Sequence, residues 1–175
     1  MAKAKKKKSM LGFVCLALVA ICAILAIVGV TQDWTVGKIA DETVGGTTLA
    51  DYKEIADMAD KMNIEDSKAG TMVALGYLAV AAVCVTAAAY VVKQLFSFTL
   101  FRVIVILLGV ITMAAGVAAV AYTAANLDGL SLSASDGFWG EVWGDNGLFL
   151  GIGCILTSVG AIAGGLFAAV GCFKR

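Results

Sequence analysis

The stretch MLGFVCLALVAICAILAIVGV, residues 10–30, contains no charged residue and no proline. Three further stretches, 71–92, 103–125 and 148–173, share this property, and all four are 21 to 26 residues long. Because a helix rises 1.5 Å per residue, about 20 apolar residues cross a hydrocarbon core about 30 Å thick. We therefore predict an all-α integral membrane fold, in which one domain over residues 10–175 forms a four-helix bundle.

Charged residues divide between the two sides of these stretches. Residues 1–9, the turn 93–102 and the C-terminus carry nine of the thirteen basic residues and no acidic residue. The loops 31–70 and 126–147 carry all thirteen acidic residues and four lysines, a net charge of −9. Since lysine and arginine are retained in the cytoplasm during insertion, we predict that both termini are cytoplasmic and that these loops face outward, with the plasma membrane as the location.

Residues 1–9 form a polybasic tail. Each lysine near an anionic leaflet adds about 1 kcal/mol of attraction, so anionic lipids of the inner leaflet are expected partners. No aromatic residue accompanies the run, and we expect no nucleic-acid partner. The apolar stretch that follows exceeds the roughly 7–15 residues of a signal-peptide core, which predicts an uncleaved anchor.

Basic and aromatic residues are typical of the boundaries between hydrocarbon and water. The predicted membrane-interface residues are Lys5, Lys6, Lys7, Lys8, Trp34, Lys93, Arg102, Trp139, Trp143, Lys174 and Arg175.

The first outer loop begins with a weak alternation of apolar residues. It runs from Trp34 to Val44 and ends at Gly45 and Gly46, a pattern typical of a short strand or hairpin.

An amphipathic helix is predicted next. Thr48 and Asp51 have the spacing of a capping box, which marks a helix start. The helix is expected to end near Asn63, with charged residues over the rest of its surface. Its apolar side, the predicted outer docking face, consists of Tyr52, Ile55, Ala59 and Met62. Such a face requires a cover, either the membrane domain, lipid headgroups or a partner.

Small residues recur at helical spacing in the fourth stretch. Gly147 and Gly151 form one pair, and Gly160 and Gly164, with Gly165 alongside, form another. Glycines spaced in this way let helix backbones approach closely within a membrane. We predict helix packing at these five positions, used either inside the bundle or shared with a second copy.

The composition excludes several kinds of chemistry. The chain has no histidine, which removes imidazole-based acid–base catalysis and most zinc sites. No ionisable carboxylate or amine lies inside an apolar stretch, which disfavours ion-coupled transport. A lipid-modifying enzyme lacks an evident nucleophile–base pair. We therefore expect no catalytic residue, no cofactor and no metal site.

The layout resembles the tetraspan arrangement of claudin-like proteins in its topology. The W-G-L-W run of that family is not found around Trp34. Its cysteine pair is also missing from the first outer loop, since all five cysteines lie in apolar stretches. No family is therefore inferred.

The leading functional hypothesis is a non-enzymatic tetraspan membrane protein. It would act as a structural, scaffolding or accessory subunit of a membrane assembly through its acidic and tryptophan-bearing outer loops, with another membrane protein or a second copy as partner. The alternative is a passive channel or transporter component for a small or apolar solute.

The charge asymmetry predicts which loops an impermeant reagent reaches. In a cysteine-free background, Asp57→Cys should react with an impermeant maleimide added to intact cells, whereas Ser97→Cys in the turn 93–102 should not. Labelling at position 97 in intact cells would contradict the predicted orientation.

Overall fold

The computed structural model describes residues 10–39, 42–62, 68–96, 98–127 and 147–173. These residues form five helices and three strands. In chain order they are α1 (Met10–Val30), β1 (Asp33–Ile39), β2 (Glu42–Thr48), α2 (Leu49–Lys61), α3 (Lys68–Leu95), α4 (Thr99–Leu127), β3 (Gly147–Leu150) and α5 (Ile152–Phe173).

Four of the described helices, α1, α3, α4 and α5, are long and apolar enough to cross a membrane. This confirms the four predicted spanning helices, while their orientation stays a prediction. Helix α3 has 28 residues and α4 has 29, so each is about 42 Å long, which exceeds the hydrocarbon thickness of about 30 Å. Both helices must therefore project beyond the hydrocarbon.

Helix α5 is the central element of the bundle. It packs against α1, α3 and α4, and α3 also packs against α1 and α4. In the apolar part of α5, 56% of the residues are buried, against 28–33% in the other three spans. Helices α3 and α5 therefore lie on the short diagonal of the bundle, with α1 and α4 at its outer corners.

Glycines of α5 set these close contacts. A side chain at Gly160 would meet the carbonyl oxygen of Cys22 in α1 at 2.7 Å, and one at Gly164 would meet Val83 of α3 at 2.7 Å. Gly165 lies on the other side, against the backbone of Gly109 in α4. These three glycines are used within the chain, which favours the first of the two predicted uses over sharing with a second copy.

Hydroxyl groups also join neighbouring helices. The Oγ1 atoms of Thr86 in α3 and Thr112 in α4 are 2.7 Å apart and fully buried. Thr157 of α5 donates to the carbonyl oxygen of Ala26 in α1 at 3.2 Å. In the absence of a strong hydrophobic drive between helices in lipid, such bonds fix which helices are neighbours.

A small sheet covers one end of the bundle. Strands β1 and β2 form the predicted hairpin, in which Ile39 pairs with Glu42, and the sheet order is β2-β1-β3. Strand β3 was not predicted, so the sheet has one strand more than the hairpin that the sequence indicated. Its four residues, GLFL, are continuously apolar, and such a run cannot be distinguished by periodicity from the start of the following helix.

The prediction of a helical Gly147/Gly151 face is also wrong. Gly147 lies in β3 and pairs with Lys38, and the helix begins only at Ile152. The N–H of Gly151 donates to the carbonyl oxygen of Trp34 at 2.8 Å. A side chain at Gly151 would collide with the backbone of Asp33, so this glycine permits close approach to a strand rather than to a helix.

The packing of α5 predicts a large cost for a branched residue at Gly164. Gly164→Ile should lower the free energy of unfolding by at least about 1–3 kcal/mol, since it overpacks the contact with Val83 and Cys22. Thermal unfolding in mild detergent measures this effect. Val159→Ile, at a position that is 54% exposed on the same helix, is the matched control. Equal melting temperatures for the two variants would contradict the central role of α5.

Candidate docking surface

Trp34 is the centre of the covered end of the bundle. The register of β1 against β2 shifts between Asp33 and Thr35, which places Trp34 at a bulge, and bulges re-aim side chains. The indole is 0% exposed, and its Nε1–H donates to Thr123 Oγ1 of α4 at 3.1 Å. The Thr123 hydroxyl in turn donates to the carbonyl oxygen of Ala119 at 2.8 Å.

That Trp34 lies at the membrane interface stays a prediction, but the structure adds that its ring is buried within the protein. An anchor exposes its ring to the headgroup region, whereas this ring is enclosed by the protein. An interior position with a hydrogen-bond partner satisfies both the apolar ring and the N–H group.

Leu49 and Gly76 complete the site around Trp34. Leu49, the first residue of α2, is 0% exposed and belongs to the same core cluster as Trp34. A side chain at Gly76 of α3 would lie 2.8 Å from Leu49 and 3.0 Å from the indole ring, so this glycine provides the space that both side chains occupy. The start of α2 is thereby fixed to the bundle.

The predicted capping box is present at the start of α2. The N–H of Thr48 donates to Asp51 Oδ2 at 2.8 Å, and the N–H of Asp51 donates to Thr48 Oγ1 at 3.3 Å. These hydrogen bonds from the backbone and hydroxyl of Thr48 hold the pKa of Asp51 below its ordinary value. The carboxylate therefore stays ionised at neutral pH.

Helix α2 runs antiparallel to the projecting end of α3. Leu49 contacts α3 at Gly76, whereas Ala56, about two turns further along α2, is level with Gly70 near the start of α3. Tyr52 is half-buried, and its hydroxyl lies 2.8 Å from Thr35 Oγ1 of β1. Contacts with both a strand and a helix thus hold α2 in a defined orientation.

The predicted docking face is divided by this packing. Tyr52 and Ala59 are half-buried, and Tyr52 is engaged by the sheet, whereas Ile55 is 46% exposed and Met62 is 68% exposed. Met58, which the prediction omitted, is 52% exposed. Met58 is three residues after Ile55 and four before Met62, and this helical spacing could have placed it on the same face from the sequence alone. We call Ile55, Met58 and Met62 the exposed stripe.

At the opposite end of the bundle, Lys93 and Arg102 hold the end of α5. Lys93 Nζ donates to the carbonyl oxygen of Gly171 at 3.0 Å, and Arg102 Nη2 donates to that of Cys172. Lys93 also lies 4.6 Å from the ring centroid of Tyr90. Cations at a helix C-terminus satisfy its free carbonyl groups and oppose the helix dipole. The two predicted interface cations therefore have a structural role in this chain.

The remaining predicted interface residues lie outside the described residues. They are Lys5, Lys6, Lys7, Lys8, Trp139, Trp143, Lys174 and Arg175.

Comparison of the chain with protein-family models, with curated proteins and with solved structures gives no match. Within the described part of the chain, no group of three or more Cys, Asp or Glu side chains is placed to hold a metal ion.

The enclosed indole predicts a large loss of stability on truncation. Trp34→Ala should cost about 3–5 kcal/mol, because it leaves a cavity where five elements meet and removes the bond to Thr123. Leu78→Ala, at a position that is 54% exposed on α3, should have little effect. Thermal unfolding in detergent compares the two, and a similar small change for both would contradict the central role of Trp34.

Proposed function

We propose that this chain is a non-enzymatic tetraspan membrane protein that acts as a structural, scaffolding or accessory subunit of a membrane assembly. Docking takes place on the outer side of the plasma membrane, through the surface that α2 presents. The partner is another membrane protein or the outer domain of one.

One observation carries this proposal. The exposed stripe consists of three large apolar side chains, whereas the other large apolar residues of the helix, Leu49 and Tyr52, already pack against the protein. A soluble surface helix normally turns its apolar face to the core, and exposed apolar patches beside polar residues are typical of interaction sites. Since α2 is fixed by its cap, by Leu49 and by Tyr52, the stripe is a preorganised surface rather than a flexible one.

The passive-channel alternative receives no such support. Helices α3 and α5 touch across the short diagonal of the bundle, where Gly164 contacts Val83. Trp34 and Tyr90, each 0% exposed, occupy opposite ends of the described bundle. A solute path in this protein would therefore have to lie between subunits.

The test is the effect of a charge on the exposed stripe. Met58→Asp should dissociate the assembly isolated in mild detergent, because it places a carboxylate in a buried contact. The monomer should keep its melting temperature, since Met58 is already half-exposed. Native mass measurement reports whether particles remain larger than one 18.0 kDa chain.

Ala50→Asp is the matched control. It adds the same carboxylate to an exposed position of α2 that lies off the stripe, and it should leave the assembly intact. If the wild-type protein is isolated only as a monomer, or if both variants behave as wild type, the proposed function is wrong.

A further inference from the structure

The exposed stripe rises away from the membrane. Leu49 is level with Gly76 of α3 and Ala56 is level with Gly70, so α2 runs from Leu49 toward the N-terminal end of α3. Counting about 30 Å of hydrocarbon back from Lys93, at about 1.5 Å per residue, places the boundary on α3 near Val73, so Leu49 lies about 5 Å below it. Helix α2 has 13 residues and is about 20 Å long, with Met62 following its last residue. The headgroup region adds only about 5–8 Å to each side of the hydrocarbon. Lipid therefore does not cover the upper part of the stripe.

Carboxylates border the stripe. All six charged residues of α2 are exposed, and four of them are acidic. In a helix, residues three and four positions apart are neighbours, so Asp51 lies beside Ile55, and both Glu54 and Lys61 lie beside Met58. The border thus carries two carboxylates and one lysine. Apolar groups on a partner would therefore fit the stripe, and positive charge would fit the edge formed by Asp51 and Glu54.

Two rival occupants carry the wrong charge. A second copy would bring outer loops with a net charge of −9 against loops of the same charge. Segment 128–146 of the same chain contains four acidic residues and no basic one. Like-charged surfaces oppose association, whereas opposite charges favour it and fix its register.

We propose that the exposed stripe binds an amphipathic helical segment of another protein whose apolar face is bordered by lysine or arginine. This inference rests on the proposed function and adds the chemistry of the partner. The apolar anchors of the partner pack on Ile55, Met58 and Met62, as in helix-in-groove recognition. Its cations pair with Asp51 and Glu54. The unbranched methionine side chains adjust to the anchors.

The test uses the full-length protein in a non-ionic amphipol and three fluorescent peptides of equal length. One is an amphipathic leucine/lysine helix, the second is its leucine/glutamate counterpart, and the third is a leucine/lysine peptide shuffled to remove the apolar face. Fluorescence anisotropy measures binding after subtraction of the signal from protein-free amphipol. Only the first peptide should bind.

Substitutions separate the apolar and charged contributions. Met58→Ser should weaken binding of the first peptide about tenfold, as expected for a central apolar contact. Glu54→Gln should weaken it about threefold, whereas Asp57→Asn, which removes the same charge from a position off the stripe, should not. Stronger salt should weaken binding of the first peptide to the wild-type protein, because it screens the charge pairs.

The possible results distinguish this inference from the proposed function. If the leucine/glutamate peptide binds equally well, or if Asp57→Asn matches Glu54→Gln, the partner is not cationic and only the present inference fails. If no peptide binds while Met58→Asp still dissociates the native assembly, again only the present inference fails. If Met58→Ser lowers the melting temperature of the isolated monomer, the chain itself covers the stripe and both proposals fail.

Discussion

The hydrogen bond between Trp34 and Thr123 is the constraint on which the arrangement of the outer elements depends. The indole comes from β1, its partner from α4, and the space around the ring is provided by Gly76 of α3 and filled by Leu49 of α2. The backbone carbonyl of Trp34 also accepts the N–H of Gly151, at the entry to α5. One residue thus sets the position of the sheet, the start of the fourth span and the direction of α2. The orientation of the exposed stripe therefore depends on Trp34.

The bundle beneath depends on a different principle. Lipid provides little hydrophobic drive between helices, so the helices are held by close backbone approach and by hydroxyl bonds. Gly160, Gly164 and Gly165 bring three neighbours against α5, and the Thr86–Thr112 pair joins α3 to α4. Gly160, Gly164 and Gly165 are therefore used for packing within the chain.

Much of the fold could be predicted from residue order alone, because a long uncharged run has few alternatives to a spanning helix. The hairpin and the capping box could also be predicted, because each is a local sequence pattern. Strand β3 could not be predicted, because its pairing with β1 joins segments that are more than a hundred residues apart. The burial of Trp34 follows from that pairing and from Gly76, and neither has a local signature. The division of the α2 face likewise required knowing which side α3 covers.

The pairing of β1 with β3 has a consequence for the order of assembly. Strand β1 follows the first span, whereas β3 immediately precedes the last. During synthesis the residues of β1 and β2 therefore emerge more than a hundred residues before those of β3, and the pocket around Trp34 cannot be completed before the chain reaches Gly151. The surface formed by the sheet and α2 is therefore complete only after the fourth span has been inserted. A chain that lacks its last helix keeps an unpaired edge on β1 and an incomplete pocket around Trp34, and unpaired strand edges favour aggregation.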